Sequence, residues 1–196
     1  MKERLIFATK NKHKMIEIRE ILSGLPYEVV SMEDIGVDID VVEDGLTFEE
    51  NALKKAREIM EVTHSLVLAD DSGLEIDYLN KEPGIYSARY LGVDTPYPIK
   101  NQLIIDKLNG VKGADRSARF VCVIAAAFPD GRTITSRGTI EGLIQDKISG
   151  TNGFGYDPIF FVPEFNMTTA EMDSSQKNAI SHRGKALRKM KELIEE

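Results

Sequence analysis

The feature that most constrains the fold is a set of short, wholly apolar runs with amphipathic segments between them. Residues 66–69 and 121–124 are such runs, and continuous apolar runs are typical of strands that are buried on both faces. Residues 15–22 and 52–60 instead place their apolar side chains at helical spacing,. Residues 133–139 follow a Pro-Asp-Gly turn, which predicts an antiparallel hairpin,. The pattern therefore predicts an α/β fold in which helices flank a central mixed β-sheet.

The ends of these elements also carry signals. Thr47 and Glu50 have the spacing of a capping box for the helix that follows,. Residues 70–73, Asp-Asp-Ser-Gly, interrupt the apolar run, so we expect the strand over 66–69 to end there,. Residues 159–162 are predicted to form the last strand, and Ser181 is predicted to cap the final helix.

Composition limits the classes of function. The chain has 196 residues and a formal charge of −7; we expect one domain over residues 1–196 and no broad nucleic-acid binding, which favours a basic face. There is no apolar stretch of about 18 residues and no signal-peptide pattern, so we expect no membrane span and a cytoplasmic protein. The one cysteine, Cys122, lies in an apolar run, which predicts a buried thiol,. With one cysteine and three scattered histidines, a zinc site is not expected,.

The first candidate site is the turn between the first strand, predicted over residues 5–8, and the first helix. A helix N-terminus offers free N–H groups and a positive dipole end, and lysines there add charge. The turn is therefore a candidate cradle for a triphosphate, although a solvated, lysine-rich first turn is the alternative and no Walker glycines are present. Its members are Thr9, Lys10, Asn11, Lys12, His13 and Lys14.

The second candidate site is the acidic segment after the apolar run at 66–69. Asp70, Asp71 and Ser72 supply the oxygen ligands that Mg²⁺ prefers,, while a plain turn is the alternative interpretation. Adjacent strand residues point to opposite faces, so at most one of the two carboxylates faces a given side. Glu43 lies in a further acidic segment, which favours a solvent-facing loop unless it meets Asp71 in space.

A third group of residues combines glycines, aromatics and cations. Glycine lets a backbone approach a ligand closely, and an aromatic face can stack on a base. A glycine turn with core aromatics and an ordinary basic helix start are the alternatives. The candidate residues are Phe154, Gly155, Tyr156 and Asp157, followed by Lys177, His182 and Arg183.

Taken together, these segments resemble the inosine triphosphate pyrophosphatase family. The resemblance extends over nearly the whole chain, in order, and its last three blocks are too long to arise by chance. The blocks are Phe7-Ala8-Thr9 with Asn11, Lys14 and Glu17; residues 45–48, Gly-Leu-Thr-Phe, with residues 50–52, Glu-Asn-Ala; residues 69–74, Ala-Asp-Asp-Ser-Gly-Leu; residues 83–90, Pro-Gly-Ile-Tyr-Ser-Ala-Arg-Tyr; residues 153–160, Gly-Phe-Gly-Tyr-Asp-Pro-Ile-Phe; and residues 181–187, Ser-His-Arg-Gly-Lys-Ala-Leu.

This resemblance implies a function and an architecture. Members of the family have an elongated, two-lobed α/β fold with a nucleotide cleft between the lobes, and they are usually homodimers. They use Mg²⁺ to cleave deaminated purine nucleoside triphosphates between the α and β phosphates, which gives a monophosphate and pyrophosphate. The substrates implied for this chain are the triphosphates of inosine, deoxyinosine and xanthosine (ITP, dITP and XTP).

The resemblance also implies roles for single residues. Asp71 would be the catalytic carboxylate, acting as base or as metal ligand, with Glu43 as a metal ligand and Ser72 touching the substrate. The turn from Thr9 to Lys14 would hold phosphates; Lys10 stands where many relatives carry glycine. Phe154, Gly155, Tyr156 and Asp157 would line the sugar and base site, and Lys177, His182 and Arg183 would contact the base.

Two other functions are alternatives. A regulatory module that binds nucleotides without hydrolysis would be expected to lack the carboxylate at the metal position, and this chain has Asp70 and Asp71. An NAD-dependent oxidoreductase would need a G-x-G-x-x-G turn after the first strand, and residues 9–14 contain no glycine.

Overall fold

Residues 3–195 are described by a computed structural model of the chain, apart from the side chain of His13. The strands are β1 (Arg4–Phe7), β2 (Glu28–Ser31), β3 (Leu66–Ile76), β4 (Ser117–Ala127), β5 (Thr133–Ile144), β6 (Phe160–Val162) and β7 (Met167–Thr168). The α-helices are α1 (Lys12–Ile21), α2 (Phe48–Thr63), α3 (Tyr97–Lys107), α4 (Ser174–Ile180) and α5 (His182–Glu195).

The strands form one mixed sheet in the order β2-β1-β3-β4-β5-β6-β7. Strand β1 runs parallel to both of its neighbours, with Phe7 opposite Ser31 of β2 and Leu68 of β3. At the other end, β6 is antiparallel to β5 and to β7. The predicted α/β class and mixed sheet are therefore confirmed.

Two compact units can be distinguished within the chain. The first comprises residues 3–71, 122–138 and 182–195, and the second comprises residues 72–121 and 139–181. Strands β3, β4 and β5 contribute residues to both units. Because these strands are shared, we propose that residues 1–196 act as one domain.

The core of the first unit confirms the predicted face of the first helix. Ile18 and Leu22 are buried with Leu5 and Phe7 of β1. Cys122 of β4 lies in the same core, and burial raises the pKa of its thiol to about 12. This cysteine is thus a packing residue with an inert thiol.

The second unit has its own core, built around α3 and the strands that follow it. Ile104 and Leu108 are fully buried. The rings of Phe120 and Phe160 lie with their centroids 4.4 Å apart. Tyr156 belongs to this core as well as to the predicted nucleotide segment. Within residues 3–195, every helix is too short or too polar to cross a bilayer.

The structure corrects the predicted end of the third strand. Strand β3 does not stop at Ala69 but continues through Asp70 and Asp71 to Ile76, so the interpretation of residues 70–73 as a turn is wrong. Burial and pairing within the sheet outweigh the local turn preference of Asp, Ser and Gly. The two carboxylates are consequently held on a rigid strand and not on a loop.

Other local predictions also need correction. Residues 159–162 do not form the last strand, because β7 follows, and α4 begins after a capping box between Asp173 and Gln176 that the pattern did not reveal. Thr47 caps α2 by accepting from the backbone N–H of Glu50. The Glu50 carboxylate, however, accepts from the N–H of Leu46 at 2.6 Å, so the reciprocal half of that capping box moves one residue outward.

Gly138 provides a test of the packing between β5 and α5. A Cβ at this position would collide with the backbone carbonyl of His182 and lie 2.7 Å from the backbone nitrogen of Ala186. Since neither is a flexible side-chain end, we expect Gly138→Ala to lower the free energy of unfolding by about 1–3 kcal/mol, measured by urea denaturation. The control, Thr135→Ala, changes an exposed residue of the same strand. Equal stability of Gly138→Ala and the wild type would contradict this packing.

Candidate functional site

The centre of the first unit's charged cluster is the carboxylate of Asp70. This residue is 1% exposed, and its Oδ2 lies 2.8 Å from Lys14 Nζ and 3.6 Å from Arg183 Nε. Lys55 Nζ donates to the Asp70 carbonyl at 2.9 Å. Burial opposes ionisation, but the charges of Lys14, Arg183 and Lys55 overcome it and hold the pKa of Asp70 well below its usual range. Asp70 therefore keeps its negative charge and holds these cations in place.

Arg183 is a member of this cluster and is buried, although it was predicted only as a contact to the base. Its Nη1 donates to Glu17 Oε2 at 2.7 Å, and its side chain is 3% exposed. His182, which begins α5, is also buried. The structure thus places both predicted base contacts at the start of α5, while their contact with a base stays a prediction.

The surroundings of the neighbouring carboxylate, Asp71, shift its pKa in the opposite direction. It is 7% exposed and accepts from Asn51 Nδ2 at 3.0 Å. Burial raises the pKa of Asp71 to about 6; the Asn51 bond opposes that shift and the negative charge of Glu43 adds to it. Alternation along β3 thus separates a permanently charged Asp70 from an Asp71 that titrates near neutral pH.

The negative charge of Glu43 acts on Asp71 and raises its pKa, while a shared metal site stays a prediction. Its carboxylate forms an ion pair with Lys55 and is 27% exposed. No group of three or more His, Cys, Asp or Glu side chains among the described residues is arranged to hold a metal. Mg²⁺, however, is commonly bound by one or two carboxylates together with substrate phosphates. The oxygen donors of Glu43 and Asp71 fit that mode.

In the turn before α1, two polar side chains shape the backbone. Thr9 Oγ1 accepts from the N–H of Asn11 at 3.1 Å, and Asn11 Oδ1 accepts from the N–H of Lys14 at 3.2 Å. Asn11 thereby satisfies an otherwise unpaired N–H at the helix start. As a result, the Lys14 side chain is directed at Asp70.

The other predicted members of this turn have different surroundings. Lys10 is half exposed and lies 2.9 Å from Asp38, and Lys12 is exposed and lies 3.4 Å from Glu33. A cleft of about 390 Å³ is lined in part by Thr9, Lys10 and Lys12. The side chain of His13 lies outside the described residues.

In the second unit, Asp157 holds the glycine–aromatic segment together. Its Oδ2 accepts from the Phe154 N–H and from Lys177 Nζ, each at 2.8 Å, and its Oδ1 accepts from Thr169 Oγ1 at 2.7 Å. Both Asp157 and Lys177 are buried, and Lys177 Nζ lies 4.7 Å from the centre of the Phe154 ring. A Cβ at Gly153 would collide with the Asp157 carboxylate. Three of the predicted residues, Phe154, Asp157 and Lys177, are thus brought together around one buried ion pair.

Sequence reasoning missed Asn51 and Lys55, which contact Asp71 and Asp70 from α2. The two residues are four apart, so they lie on one face of a helix. A polar pair at this spacing within a helix that is otherwise apolar on that side was the signal that could have found them.

A mixed sheet with paired buried carboxylates and surrounding lysines defines an α/β protein whose charged site suits phosphates and their metal ions. The comparisons agree with this description. The model of the Ham1 family matches residues 5–193, and so the chain belongs to the Ham1 family. The resemblance indicated by the motifs is confirmed.

Curated relatives extend over nearly the whole chain. A protein of Clostridium perfringens named dITP/XTP pyrophosphatase is 50% identical, covering 98% of this chain and 97% of the relative. A protein of Desulforamulus reducens with the same name is 48% identical, with 97% and 95% covered.

Solved structures share the fold. The Ham1 protein of Staphylococcus aureus superposes with a TM-score of 0.89 at 40% identity, with 98% of each chain covered. A nucleoside-triphosphatase / dITP/XTP pyrophosphatase of Mycobacterium abscessus gives a TM-score of 0.77 at 37% identity, covering 95% of this chain and 98% of that one.

The electrostatic setting of Asp71 can be tested without substrate or metal. Carboxyl-detected NMR titration of the metal-free protein should give Asp71 a pKa of about 6. Asn51→Ala should raise that pKa, because the lost N–H bond favours the ionised form, and Glu43→Gln should lower it, because a nearby negative charge is removed. Glu61→Gln, which changes an exposed carboxylate of the same helix as Asn51, should leave it unchanged. Shifts of the opposite sign would contradict the assignment.

Proposed function

We propose that this chain hydrolyses deaminated purine nucleoside triphosphates, namely dITP, XTP and ITP, to the monophosphate and pyrophosphate, and so removes them from the nucleotide pool. The enzyme class, a nucleoside triphosphate pyrophosphatase, is the one its relatives are named for. The observation that carries the proposal is the buried Asp70–Asp71 pair on β3, in which Asp70 contacts Lys14 and Arg183 and Asp71 accepts from Asn51.

The cations of the first unit suit the phosphate end of such a substrate. Lys14 and Lys55 are partly exposed and are held by Asp70 and Glu43. Hydrolysis of a triphosphate depends chiefly on positioning and on neutralising the charge of the phosphates and the leaving group. In our proposal, Thr9, Asn11 and the N–H groups of the turn bind phosphate oxygens, and Lys14 stabilises the departing pyrophosphate. Lys10, Lys12 and His13 complete that turn, and Ser72 contacts the substrate.

Asp71 is the proposed general base. A base is most effective when its pKa lies near the working pH, since it must be ionised and still able to accept a proton. With a pKa of about 6, Asp71 meets both conditions near neutral pH. That pKa belongs to the metal-free protein, and a carboxylate that binds a cation is a weaker base. Glu43 would therefore hold Mg²⁺, which would supply positive charge that neutralises the phosphates. Asp71 as a second metal ligand is the alternative to its role as base.

The second unit offers the chemistry to recognise a deaminated base. Hypoxanthine and xanthine present an N–H donor at position one and a carbonyl acceptor at position six, and adenine presents the reverse. A carboxylate only accepts and an ammonium only donates, so the buried Asp157–Lys177 pair matches the first pattern and mismatches the second. Phe154 supplies an aromatic face beside it, Gly155 and Tyr156 complete the sugar and base contacts, and His182 and Arg183 are further proposed base contacts.

The role of Asp71 is tested by Asp71→Asn, which keeps the shape of the side chain but removes its basic oxygen. We expect turnover of ITP, dITP and XTP to fall by about 100-fold or more, which is the usual contribution of a general base. The measurement is Mg²⁺-dependent pyrophosphate release. Asp130→Asn, at an exposed turn, serves as the control. Near-wild-type turnover by Asp71→Asn would contradict the assignment, and binding of the triphosphates without hydrolysis by the wild type would favour the regulatory module.

The role of Lys177 is tested by the ratio of kcat/KM for ITP to kcat/KM for ATP. Lys177→Met keeps the length of the side chain but removes the donor for the six-carbonyl, so the ratio should fall by about tenfold or more, as lost hydrogen-bond discrimination does. Lys147→Met changes an exposed lysine of the same unit and should leave the ratio unchanged. Loss of activity in Lys177→Met with an unchanged ratio would assign Lys177 a structural role instead.

The proposal also includes the assembly and the cellular location of the enzyme. A homodimer that works in the cytoplasm stays our prediction. The single buried Cys122 is compatible with a reducing compartment,.

A further inference from the structure

The segment over residues 83–90 is one of the blocks that carry the family resemblance, and the proposed function gives it no role. Tyr156 Oη donates to the carbonyl of Ser87 at 2.7 Å. Ser87 Oγ in turn accepts from the N–H of Leu74 at 2.9 Å and donates to the carbonyl of Gly84. This buried serine thus ties the tyrosine of the nucleotide segment to strand β3, within the second unit.

Residues in the first turns of α3 also contact residues 83–90 and Tyr156. Lys100 is fully buried, and its Nζ donates to the carbonyl of Ala88 at 2.9 Å. The Tyr97 ring meets the Tyr156 ring edge to face, with centroids 5.2 Å apart and an interplanar angle of 88°. The helix is therefore fastened both to residues 83–90 and to Tyr156.

The Asn101 side chain connects α3 to the backbone of the glycine–aromatic segment by a hydrogen bond. It is 2% exposed, and its Nδ2 donates to the carbonyl of Gly155 at 3.1 Å. Among the described residues, its Oδ1 has no hydrogen-bond partner, so the amide is oriented by the Gly155 bond alone. Gly155 itself has a φ of +68°, a conformation that other residues adopt only with strain,.

We propose that Asn101 is a positioning residue that holds the Gly155 carbonyl and thereby keeps Phe154 and Tyr156 in the arrangement that receives the purine base. The inference rests on the proposed function, because that function assigns residues 154–157 to the sugar and base. It adds a residue that no family motif quoted above contains. Asn101 acts through Gly155 and does not touch the substrate.

The physical reason is the conformational freedom of the backbone around Phe154. Gly153 and Gly155 flank Phe154, and both have positive φ values. Glycine has more backbone conformations available than any other residue, so each hydrogen bond to this stretch narrows the conformations it adopts. If the Asn101 bond is lost, the competent arrangement becomes a smaller fraction of the population, and the apparent affinity for the base falls by that fraction.

The sharpest test uses a nearly isosteric change. Asn101→Asp keeps the shape but removes the N–H donor, and Gln102→Glu makes the same chemical change at the adjacent, exposed residue of α3. Titration calorimetry with Mg²⁺ compares two probes, inosine monophosphate, which carries the base, and pyrophosphate, which does not. We expect Asn101→Asp to weaken inosine monophosphate binding by about tenfold, equivalent to 1.4 kcal/mol, with pyrophosphate binding unchanged. Gln102→Glu should change neither.

Thermal unfolding checks that the variants are folded, and Asn101→Ala replaces Asn101→Asp if the buried carboxylate prevents folding. Unchanged inosine monophosphate binding, or an equal loss for both probes, overturns the positioning role while pyrophosphate release by the wild type still supports the proposed function. A wild-type protein that binds neither probe and releases no pyrophosphate overturns both.

Discussion

The buried charge of Asp70 is the interaction on which the first unit's site depends. An isolated carboxylate in a protein interior is strongly unfavourable and is tolerated only when it is paired. Lys14, Arg183 and Lys55 provide that pairing. They come from α1, from the start of α5 and from α2, so Asp70 connects three separate elements through its carboxylate and its backbone carbonyl.

The contrast between Asp70 and Asp71 shows how one strand can serve two purposes. The two carboxylates are adjacent in the chain but point to opposite faces of β3. Cations surround the first and lower its pKa, whereas burial and the charge of Glu43 raise the pKa of the second. Carboxyl groups whose pKa values are pushed apart in this way are typical of sites that separate a structural or electrostatic role from a proton-accepting one.

The second unit repeats the principle with Asp157. Its carboxylate is buried, is paired with Lys177 and accepts from the backbone of Phe154 and from Thr169. The hydrogen bond from Asn101 to the Gly155 carbonyl ties Gly155 to α3, and the hydrogen bond from Tyr156 to the Ser87 carbonyl ties Tyr156 to residues 83–90. A glycine-containing segment is thereby held in one conformation by side chains that lie far from it in sequence.

The sequence by itself determined the α/β class, the buried face of α1, the inert environment of Cys122 and the motifs that contain Lys14, Asp70 and Asp71, because all of these follow from short-range periodicity or from motifs. Only the tertiary structure decided that β3 continues through Asp70 and Asp71, that Asn51 and Lys55 reach those carboxylates, and that Arg183 lies in the Asp70 cluster. Local preference favoured a turn at residues 70–73, but pairing with neighbouring strands and burial of charge against cations from distant segments are long-range effects. Such effects produce no periodic pattern of residues in the sequence, and so they can be seen only in the folded structure.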